Sequence, residues 1–136
     1  FMDDFIKSIL LSAKNIVIIG ASTNSEKDSF KVMLFLKNKS FKVFPVNPKR
    51  LNEKVLGEKI YHDIKEIEND IDIIVVFRPS SEIYNLVNKF INKKAKTIWL
   101  QLGIFCSRSE KKLDKLGINF IQNKCIKIEY EKLFNN

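Results

Sequence analysis

Two short runs of branched apolar residues, Ile16-Val17-Ile18-Ile19 and Ile73-Ile74-Val75-Val76-Phe77, stand out from an otherwise mixed chain because no polar residue alternates with them. Strands with one wet face alternate, whereas strands covered on both faces read as continuous runs. Lys42-Val43-Phe44-Pro45-Val46, Thr97-Ile98-Trp99-Leu100 and Ile118-Asn119-Phe120-Ile121 are of similar length and character. Five strands are therefore predicted. Between them Ile83, Leu86, Val87, Phe90 and Ile91 follow the i, i+3, i+4, i+7, i+8 spacing of a helix with one apolar stripe. Phe30, Met33, Leu34 and Lys37 continue the alternation after the first strand, and Ile6, Ile9, Leu10 and Ala13 predict a short leading helix. Ser80 or Ser81 is the expected N-cap of the helix over 83–91, while Ser107 with Glu110 and Asp63 with Glu66 have capping-box spacing and mark two further helix starts. Strands alternating with helices over connections of this length give the α/β class, a five-stranded parallel sheet with helices on both faces.

At 136 residues the chain is read as a single domain, 1–136, with no internal repeat or linker. No apolar run approaches the roughly 20 residues that cross a bilayer, and the opening Phe1-Met2-Asp3-Asp4 is acidic, so no membrane association and a cytoplasmic location are expected. The formal net charge of +8 would attract polyanions, nucleic acid or a phosphorylated small molecule. Yet 21 of the 24 basic residues are Lys, in a chain rich in Asn, Ile and Phe, the residues of A/T-rich codons. Charge alone is thus a weak argument, and a nucleic-acid partner is not expected. Cys106 and Cys125 lie 19 residues apart with no second pair, which fits two reduced thiols better than a zinc site or a disulfide framework.

In a parallel sheet of this kind ligands bind beyond the carboxyl ends of the strands, near the point where strand order reverses. Gly20 ends a buried strand and opens a turn into a helix, the setting in which backbone N–H groups hold a phosphate or diphosphate. Against the dinucleotide pattern G-x-G-x-x-G the chain offers Gly20, Ser22 and Ser25, so only the first glycine is kept. An NAD site would also want an acid after the second strand, for the ribose hydroxyls. Val46-Asn47-Pro48-Lys49-Arg50 supplies an amide, a rigid turn and two cations, which suit a ribose carrying an additional phosphate, as in coenzyme A or NADP. Arg78 and Pro79 after Phe77 offer a wall for an adenine or a phosphate contact, against the plainer reading of a surface turn. Gly103, two residues past Gln101, permits close approach of a ligand or eases a turn, and Trp99 is read as core. His62 is the sole histidine and has no Cys or second His at ligand spacing, so neither a metal site nor a catalytic residue is assigned.

Taken together, Gly20-Ala21-Ser22, Pro45-Val46-Asn47-Pro48, Val76-Phe77-Arg78-Pro79, Trp99-Leu100-Gln101-Leu102-Gly103 and Cys125 followed by Glu129 resemble the small stand-alone CoA-binding protein family. Val55-Leu56-Gly57 and Asp72 extend the similarity over nearly the whole chain. That family resembles the nucleotide-binding domain of the succinyl-CoA synthetase alpha subunit, which implies a Rossmann-like fold. The resemblance implies that Gly20, Ala21 and Ser22 meet the CoA phosphates, with a further contact from Ser29 ahead of Phe30. It implies that Asn47, Pro48 and Lys49 border the adenosine and that Phe77, Arg78 and Pro79 close over it; Gln101 and Gly103 join the expected site by their position after the fourth strand. The segment Ile126-Lys127-Ile128 lacks the proline often found after the family's cysteine. A synthetase also uses a phosphorylatable histidine on a further domain and a nucleotide-grasping subunit, neither visible in this sequence. The resulting expectation is a non-catalytic carrier, sensor or partner module for CoA or an acyl-CoA, with a homodimer or an unknown protein partner left open. A small NAD(P)-binding redox enzyme or sensor using the same cleft is the alternative.

Overall fold

The computed structural model describes residues 2–50 and 52–134, which leaves Phe1, Leu51 and the last two residues outside the account. Its sheet strands are β1 (Asn15–Ile19), β2 (Lys42–Val46), β5 (Ile73–Val76), β6 (Thr97–Leu100) and β7 (Asn119–Ile121). They lie in the order β2-β1-β5-β6-β7, all parallel, with Ile16 opposite Val43 on one side and Ile73 on the other. All five predicted strands form, and the fold is the Rossmann-like α/β arrangement. Because β2 lies on one side of β1 and β5 on the other, strand order reverses at the β1/β5 boundary. A crevice at their carboxyl ends follows from this topology.

The continuous apolar runs supply both faces of the sheet. Ile16, Ile18, Ile73, Val75 and Trp99 face a core closed by the helices α1 (Met2–Ser12), α2 (Asp28–Asn38) and α5 (Ile126–Phe134). Val17, Ile19, Ile74, Val76, Ile98 and Leu100 face a second core closed by α3 (Ser80–Asn92) and α4 (Glu110–Lys115). Alternation of side chains across the pleat requires such a split. The stripe Ile83, Val87 and Phe90 of α3 is buried, as its spacing predicts. Trp99 is wholly buried, its indole N–H donating to the Lys124 carbonyl at 2.7 Å.

Helix starts follow the capping patterns only in part. Both halves of the Asp63/Glu66 box form, but they open a three-residue 3-10 turn, Ile64–Glu66. The cap position of α3 is Pro79, neither Ser80 nor Ser81, and the Ser80 hydroxyl instead accepts from Phe105 N–H at 2.9 Å. Nor does Ser107 cap a helix: a 3-10 turn at Ser107–Ser109 precedes α4, and the Glu110 carboxylate accepts from the Gln122 amide at 2.8 Å. In both cases a partner distant in sequence takes the group that a local cap would use. A small hairpin, β3 (Lys54–Val55) and β4 (Glu58–Lys59), has no counterpart among the expected elements. Leu56 and Gly57, at φ 50° and 80°, form its turn, and Lys37 ties it to α2 by donating to the Leu56 carbonyl and to Glu58.

At the amino edge of the sheet, Asp72 accepts from Lys14 N–H at 2.8 Å and Asn15 N–H at 2.9 Å, with the Lys96 ammonium 3.4 Å away. Burial by itself would raise this carboxyl, but the two backbone donors and Lys96 together outweigh it and hold it below the usual aspartate value. A carboxylate whose acidity is greater folded than unfolded contributes stability above its unfolded value and loses it as pH falls through the folded one. Asp72→Asn should therefore lower stability by about 1–3 kcal/mol at neutral pH and flatten the acid limb of the stability curve. Urea unfolding between pH 7 and pH 3 measures both, and an unchanged acid limb contradicts the assignment.

Candidate functional site

At the carboxyl end of β1 the chain turns at Gly20, whose φ of +86° is left-handed. A Cβ built there would overlap the Phe77 carbonyl oxygen, so the loops after β1 and β5 touch at a point that only glycine allows. Gly20 N–H and Ala21 N–H both donate to the Val46 carbonyl, at 3.0 and 3.1 Å. The main-chain donors of these two residues are therefore engaged by β2.

The donors that remain begin one residue later. Ser22 Oγ accepts from Asn24 N–H and Asn24 Oδ1 from Glu26 N–H, each at 3.0 Å, while Lys27 N–H returns to the Asn24 carbonyl. These local bonds coil the loop and leave the N–H groups of Ser22, Thr23 and Ser25 with no acceptor among the described residues. They precede the N-terminus of α2, where Lys27 occupies the cap position without a side-chain cap and Ser29 is buried in the first turn. Free backbone donors ahead of an uncapped helix end are groups that can receive an anion.

Asn47 is a fastener here. Its amide donates to the Ala21 carbonyl at 2.8 Å and its oxygen accepts from Lys49 N–H at 2.9 Å, locking the loop after β2 onto the loop after β1. Both polar atoms of that side chain are thus engaged within the protein, whereas the Lys49 side chain stands exposed beside it. Arg50, also placed among the cations of this turn, has Glu53 at 3.7 Å. Pro48 lines a separate cavity of about 210 Å³ with Val46, His62, Ile64 and Leu86, over the face covered by α3. Arg78 is exposed and donates from Nε and Nη2 to the two oxygens of Glu82, at 3.1 and 2.7 Å. This fork holds the guanidinium in place and leaves Nη1 unused. Pro79 is exposed at the head of α3.

Toward β6 the crevice deepens into a cleft of about 330 Å³ between α2 and α5. Phe77 and Gln101 line it, together with Val32, Ile104 and Cys125, which the site residues chosen from sequence did not include. Gln101 is 4% exposed; its oxygen accepts from Ile126 N–H at 3.1 Å, and its NH2 meets no partner among the described residues. Gly103 lies outside this lining, its N–H bound to the Asn123 side chain at 2.7 Å. Edge-on packing of Phe35 against Tyr130, with ring centres 5.5 Å apart, joins α2 to α5 and fixes the width of the cleft. Cys125 carried a signal in the sequence only through the family resemblance, where it stands with Glu129.

Residues 14–131 match the model of a family described as the CoA binding domain. The chain belongs to that family. It is 30% identical over 125 residues to the uncharacterised protein YneT of Bacillus subtilis, spanning 92% of this chain and 91% of that one. It is 29% identical to the alpha subunit of the ADP-forming acetate–CoA ligase II of Pyrococcus furiosus, covering 85% of this chain but only 27% of the ligase subunit. Among solved structures, a Thermus thermophilus protein superimposes with a TM-score of 0.93 at 29% identity, over 97% of this chain and 98% of its own. A hypothetical protein of Pyrococcus horikoshii gives 0.91 at 33% identity, over 98% and 92% of the two chains. No described helix is long and apolar enough to cross a membrane.

Gly20 and Gly117 separate the two costs of adding a methyl group at a left-handed turn. Gly117, at φ +71°, has nothing within 4 Å of a built Cβ, while Gly20 meets the Phe77 carbonyl. Gly117→Ala should cost about 1 kcal/mol of backbone strain, and Gly20→Ala about 2 kcal/mol or more beyond that. Thermal unfolding of the two variants compares them directly, and equal losses would mean that the approach of the two loops is not constrained by this glycine.

Proposed function

We propose that the chain binds coenzyme A or an acyl-CoA across the carboxyl ends of its strands, as a carrier, sensor or partner module. The observation that carries this reading is the group of unsatisfied N–H donors at Ser22, Thr23 and Ser25, located at the β1/β5 reversal in a chain of the CoA binding domain family. In this reading the diphosphate rests on those donors and on the first turn of α2, where Ser29 adds its hydroxyl. Lys49 and Arg50, past the end of β2, serve the 3′-phosphate, which free NAD lacks. Asn47 and Gly20 act by holding the two loops in register, and Pro48 and Pro79 shape the adenosine end. Arg78, braced by Glu82, presents its Nη1 to the ligand.

The residue after β2 bears on the nicotinamide alternative. Asn47 stands where a ribose-binding acid would be needed, and its side chain is held by bonds to Ala21 and Lys49. The relatives named as acetate–CoA ligases are much longer than the matched segment, and their activity is not carried over to this chain.

Calorimetric titration with CoA, dephospho-CoA and NAD tests the proposal. CoA should bind, dephospho-CoA should bind more weakly, and Lys49→Ala should narrow that difference by about three- to tenfold, the effect of one ordinary hydrogen-bonded contact from an exposed side chain. NAD binding without CoA binding would overturn the reading. Equal affinities for CoA and dephospho-CoA would remove Lys49 and Arg50 from it.

A further inference from the structure

We propose that the cleft between α2 and α5 receives the acyl group of a CoA thioester, and that it favours a short apolar acyl chain over the free thiol and over an acyl group bearing its own carboxylate. The inference rests on the CoA reading above and extends it to the opposite end of the ligand.

Position comes first. The phosphate loop follows β1, and the cleft lies over the ends of β5 and β6, one to two strand spacings or roughly 5–10 Å away on the side opposite β2. On the CoA reading, a ligand with its adenosine toward β2 and its phosphates on residues 22–25 runs its pantetheine arm toward this cleft, and in the proposal the arm bends there so that its thioester end meets the walls. Phe77 connects the two regions, since its backbone meets Gly20 and it also lines the cleft.

The lining then selects the chemistry. Val32, Phe77 and Ile104 form apolar walls, and Leu102 and Ile128 stand in the same lining while 66% and 54% exposed. Two large aliphatic side chains left in water at a concave site are surface that an apolar ligand group would cover. Inside, the unpartnered NH2 of Gln101 is a neutral donor suited to a carbonyl oxygen, such as that of a thioester or of the neighbouring amide. The charges in the lining are Asp28 and Lys31 from α2 and Lys127 and Glu131 from α5, two of each sign. They provide no net cation to hold a second carboxylate.

Titration of the full chain with CoA, acetyl-CoA, hexanoyl-CoA and succinyl-CoA tests this, alongside the double variant Leu102→Ser with Ile128→Ser. Each buried methylene supplies roughly a fourfold gain, so hexanoyl-CoA should bind at least about tenfold more tightly than CoA. Succinyl-CoA should gain nothing over CoA. In the double variant the hexanoyl-to-CoA ratio should fall toward one, while Leu116→Ser, exposed outside this lining, should leave it unchanged. Equal affinities for CoA and hexanoyl-CoA, an equal gain for succinyl-CoA, or a ratio that survives the double substitution would each overturn the inference while leaving CoA binding intact. Absence of binding by all four ligands would instead overturn the CoA reading itself. Should the double variant fail to fold, the ligand series on the unaltered chain still decides the matter.

Discussion

The site depends on one close approach, that of the β1 turn to the β5 turn. Gly20 lies against the Phe77 carbonyl, and the Val46 carbonyl accepts from both Gly20 and Ala21. These contacts bring the ends of β2, β1 and β5 into one rigid corner, and every other feature of the crevice is displaced from it by a fixed number of residues. The free donors start at Ser22 because the two before it are bound. Asn47 then reinforces the corner from the side of β2. Rigidity at this point matters because a donor loop that must be ordered by its ligand loses affinity to the entropy of ordering.

Much of the fold was legible because burial on both faces leaves an unmistakable pattern. The runs at 16–19 and 73–77 lack alternation, and each does serve two cores. Local chemistry was less reliable wherever a distant partner competed. Ser80 had the composition of a cap, yet Phe105 N–H claimed its hydroxyl; Glu110 had capping-box spacing, yet Gln122 reached it first. The β3–β4 hairpin was hidden for a related reason. Its turn uses Leu56 at positive φ, where a sequence reading looks for Asn or Asp before the glycine.

Strand ends drew attention to residues that the structure brings close together, but gave no sign of the hydrogen bonds they make. Position along the chain put Asn47 and Gly20 among the expected ligand contacts; it does not reveal that their polar groups are engaged in joining the loops. A sequence likewise gives no sign of which N–H groups remain free, because that depends on which carbonyl arrives from the adjacent strand. The walls at Val32, Ile104 and Ile128 were overlooked because they belong to helical stripes and a loop that look like ordinary packing. Only the convergence of α2 and α5, secured by Phe35 and Tyr130, turns them into a cleft.

The carboxyl edge of the sheet therefore has two unlike halves. Around β2 and β1 it offers backbone donors and cations, and around β5 and β6 it offers apolar walls, the Gln101 amide and charged side chains that sum to zero. Neither half alone makes a strong site: exposed cations bind phosphate weakly in salt, and a small apolar cleft holds any oily fragment. On the proposed reading the two halves, joined by a rigid corner and one to two strand spacings apart, suit molecules that carry phosphates at one end and an uncharged group at the other. Selectivity on this account comes from the separation between the halves, which the register of β1 against β5 fixes, more than from any one contact within them.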